Sequence, residues 1–240
     1  DVDEQADTDG LRPISGMEFC ARLAQKVMTL LSTQTLDGRA YEVDTRLRPS
    51  GHAGMLVASL NAFRQYQHKS AWIWEHQALV RARFICGSEK LRLEFEAVRQ
   101  EILCQPRVLE ELRKDVVTMR EKMRASLGAT GGEYSLKQDV GGLADIEFMV
   151  QYAVLGWAQQ HPELTRWTDN IRILEQISEL GVLCVQDSLT LIESYRAIRA
   201  KIHRLALDKR KSIVQDPGEL APVVEAVAKI WQHFMLPEQN

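Results

Sequence analysis

Apolar and polar residues alternate along this chain with two different periods. From Tyr41 to Arg48 the period is two: Tyr41, Val43, Thr45 and Leu47 point one way, and Glu42, Asp44, Arg46 and Arg48 the other. Such alternation predicts a strand with one buried face. Pro49, Ser50 and Gly51 then stop the strand and turn the chain. Ahead of it, Ser15 and Glu18 form a capping box. The box opens a helix predicted to about residue 32, with Phe19, Leu23, Val27 and Leu30 on its apolar face. Asp37-Gly38 turns this helix into the strand, and a one-sided helix feeding a half-buried strand predicts a layered α/β unit.

After the turn, residues 55–58 read as a short strand or an extended link. Ser59 is expected to cap a helix through Leu60, Phe63 and Gln67. Ser70 is expected to cap another, on which Trp74, Ala78 and Arg81 share a face. Trp72 and Trp74 read as core residues.

From Lys90 onward the period is almost wholly helical. A helix over about 91–104 ends at Pro106. The next carries Val108, Leu112, Val116, Met119 and Met123, the methionines reading as core. After loops at Gly128–Gly132 and Gly141-Gly142, a stripe of Ile146, Val150, Ala153 and Trp157 predicts another helix. His161-Pro162 marks a break, Thr168 or Asp169 caps a helix through Ile171, Leu174, Ile177 and Leu180, and Gly181 ends it. A long helix holds Leu191, Tyr195, Ile198, Ile202 and Leu205. The basic run Lys209–Lys211 reads as its solvated end, Asp216-Pro217-Gly218 as a turn, and Val223, Val227, Ile230 and Phe234 as the last helix. The predicted fold class is α+β, mostly α. An α/β unit over 1–89, with a flexible acidic start at 1–14, is followed by a helical bundle over 90–240.

Composition narrows the chemistry. At 240 residues, 45% hydrophobic and 26% charged, the chain has the make-up of an ordinary globular protein. A net charge of −3 without a long basic run argues against non-specific nucleic-acid binding. No apolar run reaches the length of a membrane span, and no signal peptide is visible. The four cysteines have no paired spacing and read as free thiols of a reducing cytosol. The six histidines form no zinc motif. The chain opens on an acidic, aperiodic stretch without an initiator Met, which reads as a piece of a longer protein begun inside a loop.

The candidate chemistry lies on the charged face of the predicted strand. Glu42 and Asp44 suit a hard cation, and Arg46 and Arg48 suit phosphate oxygens beside it. A strand with a solvated outer face shows the same alternation, and the strand alone favours that plainer reading. Arg81 and Arg83 read equally as phosphate contacts or as a solvated helix face. Asp145 and Glu147 sit in the first turn of their helix, where the dipole favours acids whatever their role. Two positions apart, they face different sides of the helix and do not readily chelate one ion together.

Five separated blocks carry a resemblance. They are Tyr41-Glu42-Val43-Asp44-x-Arg46-Leu47-Arg48-Pro49-Ser50-Gly51-x-x-Gly54; Ala62-Phe63-x-x-Tyr66-Gln67; Ala71-Trp72-x-Trp74-Glu75-His76-Gln77-Ala78-Leu79-x-Arg81-Ala82-Arg83; Lys137-Gln138-x-x-Gly141-Gly142-Leu143-x-Asp145-Ile146-Glu147-Phe148; and Trp167-Thr168-Asp169-Asn170-Ile171-Arg172-Ile173-Leu174-Glu175. In this order they resemble the glutamine synthetase adenylyltransferases, and the Arg-Pro-Ser-Gly turn resembles the C-terminal, adenylylating domain. The resemblance implies a catalytic fold like that of DNA polymerase β. It also implies AMP transfer from ATP to a tyrosine of glutamine synthetase, Mg²⁺ as cofactor, a cytoplasmic setting, and a PII-type signal protein as partner of the whole enzyme. A second domain of such enzymes removes AMP by phosphorolysis. The match implies that Asp44 is a catalytic metal ligand with Glu42 beside it. It implies substrate contacts by Arg46, Arg48, Ser50, Gly51, Arg81, Arg83, Asp145 and Glu147.

This sequence departs from the pattern. The family's Gly-Ser-x-x-Asp-x-Asp segment is absent, Gly87-Ser88 not being followed by it; Thr45 and Ser88 are minor departures. The chain by itself is therefore expected to be inactive. The competing expectation is a helical docking module for glutamine synthetase or a PII-type protein, and a third is a purely structural helical domain.

Overall fold

The computed structural model describes residues 7–236. The chain forms two compact units: one runs to Glu75 and takes in Phe84–Arg99, the other comprises His76–Arg83 and continues from Gln100. Two helices, α3 (Ile73–Arg81) and α4 (Glu89–Leu103), have residues in both.

The first unit contains α1 (Gly16–Ser32) and α2 (Leu60–Lys69). Ser15 caps α1 by accepting from the Glu18 amide at 3.3 Å, and Ser59 caps α2 by accepting from the Ala62 amide at 3.1 Å. Helix α2 meets α4 through Phe63 and Phe95, whose ring centroids lie 6.3 Å apart. The acidic start is not loose throughout: from Asp7 it folds back on Ser15 as a β-bridge, and the Thr8 amide donates to the Ile14 carbonyl at 2.9 Å. Residues 1–6 of that predicted segment lie outside the described residues.

Two expectations fail here. Residues 41–48 form no strand, and Tyr41 and Leu47, which should have been buried, are 68% and 63% exposed. A strand needs a neighbour to take its backbone hydrogen bonds, and among the described residues none pairs with this segment. The apolar face of α1 is also open: Phe19, Leu23, Val27 and Leu30 all lie on the surface. The layered α/β unit is therefore not formed, and residues 55–58 are an irregular link.

Smaller corrections follow in the helices after the link. Ser70 ends α2 instead of starting α3. The α3 N-terminus is closed by Glu75, whose carboxylate accepts the Trp72 amide at 2.9 Å. Trp72 is exposed, so it is not a core residue, and so is Val108.

The second unit is a helical bundle around α6 (Leu143–Trp157), which is apolar on nearly every side and accordingly buried. Around it lie α5 (Leu109–Leu127), α7 (Asn170–Glu179), α8 (Val185–Leu207) and α9 (Ala221–Met235). Tyr152, Trp157 and Phe234 form an aromatic cluster with centroids 5.5–6.4 Å apart. Asp169, not Thr168, caps α7, accepting from the Arg172 amide at 3.0 Å. Pro162–Thr165 form a short 3-10 turn at the predicted break. The bundle also holds an unpredicted two-stranded ribbon, β1 (Tyr134–Ser135) antiparallel to β2 (Ile213–Val214).

Candidate functional site

Within the first unit, Asp44, Arg46, Arg48, Ser50 and Gly51 share one compact loop. Asp44 turns back on Arg46: its carboxylate accepts the Arg46 amide at 2.9 Å and the guanidinium at 2.6–3.0 Å. These hydrogen bonds hold the Asp44 carboxyl down at about 2, below its ordinary value of 3.8. Both side chains remain open to solvent. The period-two pattern thus put the two residues on one side of the chain although no strand forms.

Arg48 has a different environment. Its guanidinium reaches the Thr45 carbonyl at 2.9 Å, the Thr45 hydroxyl at 3.1 Å and the Gly54 carbonyl at 3.4 Å. It is the hub of the 45–54 loop. Ser50 takes the left-handed conformation, with φ 61°. At Gly54 a Cβ would lie 1.9 Å from the Pro49 carbonyl oxygen, so the Arg-Pro-Ser-Gly-x-x-Gly spacing is what lets the loop close.

Tyr66 ties this loop to α3 inside the same unit. The Ser50 amide donates to the Tyr66 oxygen, and the Tyr66 hydroxyl donates to Glu75 at 2.9 Å. Burial and the Glu75 carboxylate push the Tyr66 phenol up. The Tyr66 and Glu75 of the sequence blocks therefore brace the loop.

Glu42 and Asp44 do not by themselves build a magnesium centre. Magnesium takes about six oxygen ligands in near-octahedral array, and both Asp44 oxygens face Arg46. Among the described residues no group of three or more His, Cys, Asp or Glu could hold a metal.

The other candidates lie in the second unit. Arg81 and Glu147 pair with each other at 3.4 Å, partly exposed, and beside them Gln77 donates to Gln151 at 3.0 Å. Arg83 is exposed. Asp145 is fully buried and takes Arg120 at 2.7 Å, Arg124 at 3.1 Å and the Gly141 amide at 2.7 Å. Arg120 also donates to the Gln138 carbonyl at 2.6 Å. Burial pushes the Arg120 guanidinium down while the Asp145 carboxylate opposes that shift. Asp145 thus closes a buried ionic knot under the Lys137–Gly142 loop. Gly141, with φ 78°, sits where a Cβ would lie 2.1 Å from the Val224 carbonyl oxygen.

The sequence reading passed over Arg120 and Arg124. The signal was there: Leu112, Val116, Arg120 and Arg124 repeat every four residues, so a charge stands on the buried stripe of α5 and needs a buried counter-charge. A second overlooked hub is Arg107, which donates to the carbonyls of Ile102, Leu103, Gln105 and Leu155 and lies 3.4 Å from the His76 Nδ1. Burial pushes its guanidinium down to about 10.

Two family models match the chain. Residues 1–98 match the glutamate-ammonia ligase adenylyltransferase model, and residues 109–229 match the GlnD PII-uridylyltransferase model. A bifunctional glutamine synthetase adenylyltransferase/adenylyl-removing enzyme of Acinetobacter baylyi is 51% identical over 98% of this chain. Residues 1–98 thus carry the glutamate-ammonia ligase adenylyltransferase family model, and nearly the whole chain is similar to the glutamine synthetase adenylyltransferases. Enzymes of the same description from Pseudomonas putida and Pseudomonas aeruginosa are 47% and 48% identical over 96% and 98% of the chain. The chain spans about a quarter of the length of these curated relatives, 26% of the first and 25% of the other two. The adenylyltransferase model thus covers the Asp44 loop and the Tyr66–Glu75 brace, and the uridylyltransferase model covers the Asp145 knot.

Proposed function

We propose that this chain is part of an adenylyltransferase that moves AMP from ATP to a tyrosine of glutamine synthetase and so regulates nitrogen assimilation in the cytoplasm. The observation that carries the reading is identity of 51% across 98% of the chain to a relative named for that activity. No described helix is long and apolar enough to cross a membrane, which is compatible with the reading.

In this proposal Mg²⁺ is a cofactor of the whole protein and Asp44 supplies one carboxylate, with Glu42 next to it. Two-metal nucleotidyl transfer needs several carboxylates around the phosphorus. The others come from the part of the protein that lies outside this quarter. Arg46 keeps the Asp44 carboxylate ionised but occupies both of its oxygens, so in this proposal the Asp44–Arg46 contact opens when the cation binds. Arg46 and Arg48 then face triphosphate oxygens, which a guanidinium recognises by paired, charge-assisted bonds. Ser50 and Gly51 present backbone to the nucleotide. Arg81, Arg83 and Glu147 remain substrate-contact candidates, whereas Asp145, fully buried, serves as a support for the Lys137–Gly142 loop rather than as a contact.

The experiment uses the full-length protein carrying Asp44→Asn, labelled ATP and glutamine synthetase, with thermal melting in parallel. Loss of AMP transfer from a protein that still folds supports the reading. Near-normal transfer removes Asp44 from the site.

A second reading is favoured by the Asp44–Arg46 lock and by the match of the bundle to a PII-uridylyltransferase model. On it, this chain docks glutamine synthetase or a PII-type signal protein, and catalysis lies elsewhere in the protein. It predicts that Asp44→Asn leaves both binding and transfer intact.

A further inference from the structure

Residues 196–211 hold seven lysines and arginines against one carboxylate, Asp208, in a chain whose net charge is −3. Arg196, Arg199, His203 and Leu207 follow at spacings of three, four and four along α8, so they share one face. All four are exposed, while Ile198 and Leu205 on the opposite side are buried, as is Tyr195 next to Arg199. Lys201, off this face, is the cation that pairs, at 3.4 Å with Glu219. Among the described residues no ion pair includes Arg196, Arg199, Arg204 or the run Lys209–Lys211.

The helix dipole does not account for this charge. It favours cations in the last turn only, which covers Arg204 but not Arg196 or Arg199, two or more turns inside α8. Arg199 is also held in place. Its guanidinium lies 5.5 Å above the Tyr195 ring, donates to the Tyr195 hydroxyl at 3.3 Å and stands 3.5 Å from the His203 ring nitrogen. A pinned arginine loses little rotamer freedom on meeting a partner. Leu207, 84% exposed at the end of the row, adds an apolar anchor next to the cations. Arginines around an exposed apolar side chain are what a protein interface is made of. A nucleic acid would want a broader basic surface and aromatic platforms; the chain has a pI near 6.1, and Tyr195, the aromatic residue on this row, is buried.

We infer that the Arg196–Arg199–His203 face of α8, with Leu207 at its end, is a docking surface for an acidic patch of a partner protein. The partner is glutamine synthetase, a choice that rests on the proposed function. Complementary charge of this kind governs encounter rate and salt dependence.

The test is the full-length protein with Arg196→Glu and Arg199→Glu together. Direct binding to glutamine synthetase is titrated at low and high salt, AMP transfer is measured beside it, and helix content is checked by circular dichroism. A milder variant, Arg196→Gln with Arg199→Gln, guards against misfolding. The expected result is about tenfold weaker binding at low salt, a flattened salt dependence, and a raised KM for glutamine synthetase with the KM for ATP unchanged. Unchanged binding by folded variants overturns the docking surface, even where transfer is intact. So does loss of RNA or heparin binding with glutamine synthetase binding kept. If the unaltered protein binds glutamine synthetase in a reversal-sensitive way but transfers no AMP, the docking surface stands and the proposed activity falls.

Discussion

Arg120 and Asp145 meet at 2.7 Å with both side chains shut off from solvent, and they join α5 to the first turn of α6. Asp145 also takes Arg124 and the Gly141 amide, so one carboxylate satisfies three donors. A buried pair of this kind adds little over a well-packed apolar pair, but losing one partner strands the other charge.

Asp145→Asn is accordingly expected to cost about 3–5 kcal/mol, because two guanidiniums lose their counter-charge. Replacing Arg120 by Met and Asp145 by Leu together is expected to cost less than Asp145→Asn alone. Urea unfolding of the three proteins, followed by circular dichroism, measures both. A milder Asp145→Asn would mean that water reaches the knot.

Asp44 gives a prediction in pH. Its folded value is about 2 against an ordinary 3.8, so the Asp44–Arg46 contact is fully formed above about pH 4 and is lost as the pH falls through 2. A carboxyl titration by NMR should show that low midpoint, and Arg46→Ala should return it towards the ordinary value. Because both side chains are exposed, Arg46→Ala should leave global stability almost untouched. An unshifted midpoint in Arg46→Ala would mean that something other than Arg46 holds Asp44 ionised.

Arg48→Ala should loosen the loop before it changes anything else. The guanidinium serves the Thr45 and Gly54 carbonyls, and losing such bonds costs about 1–3 kcal/mol locally. Hydrogen exchange at the Gly51, Ala53 and Gly54 amides should quicken, with the helices of the bundle unaffected. Arg48→Lys should fail to restore it, since an ammonium cannot span several carbonyls as the planar fork does. In the full-length protein the proposed phosphate role predicts a raised KM for ATP as well. A loosened loop with ATP binding untouched would assign Arg48 to the loop alone.

Gly141 and Gly131 separate close approach from backbone preference. Both have φ near 70–80°, but a Cβ at Gly141 would strike the Val224 carbonyl whereas one at Gly131 would meet nothing within 4 Å. Gly131→Ala should cost about 1 kcal/mol and Gly141→Ala clearly more. Thermal melts of the two variants decide it, and equal costs would mean that the Lys137–Gly142 loop yields freely.

The helices were legible because their signals are local. Ser15, Ser59 and Asp169 cap helices by bonding amides three residues on, and the apolar spacing of α5 to α9 needs only the helix's own geometry. The nearness of Asp44 to Arg46 was legible for the same reason: they are two residues apart. The family motifs were likewise written in the sequence, and they led to the family without any coordinates. What the sequence could not settle depends on partners distant along the chain. A period of two permits a strand but does not supply the neighbour that makes one, so residues 41–48 lie open as a loop. Two-residue strands carry no period at all, and the register of Tyr134 against Val214 exists only once the bundle has folded. Arg120 announced that it needed a counter-charge; that Asp145, twenty-five residues on, meets that need was decided by how α6 packs on α5. Burying an arginine is tolerable only when its charge is paired, and the pairing is a property of the packed helices.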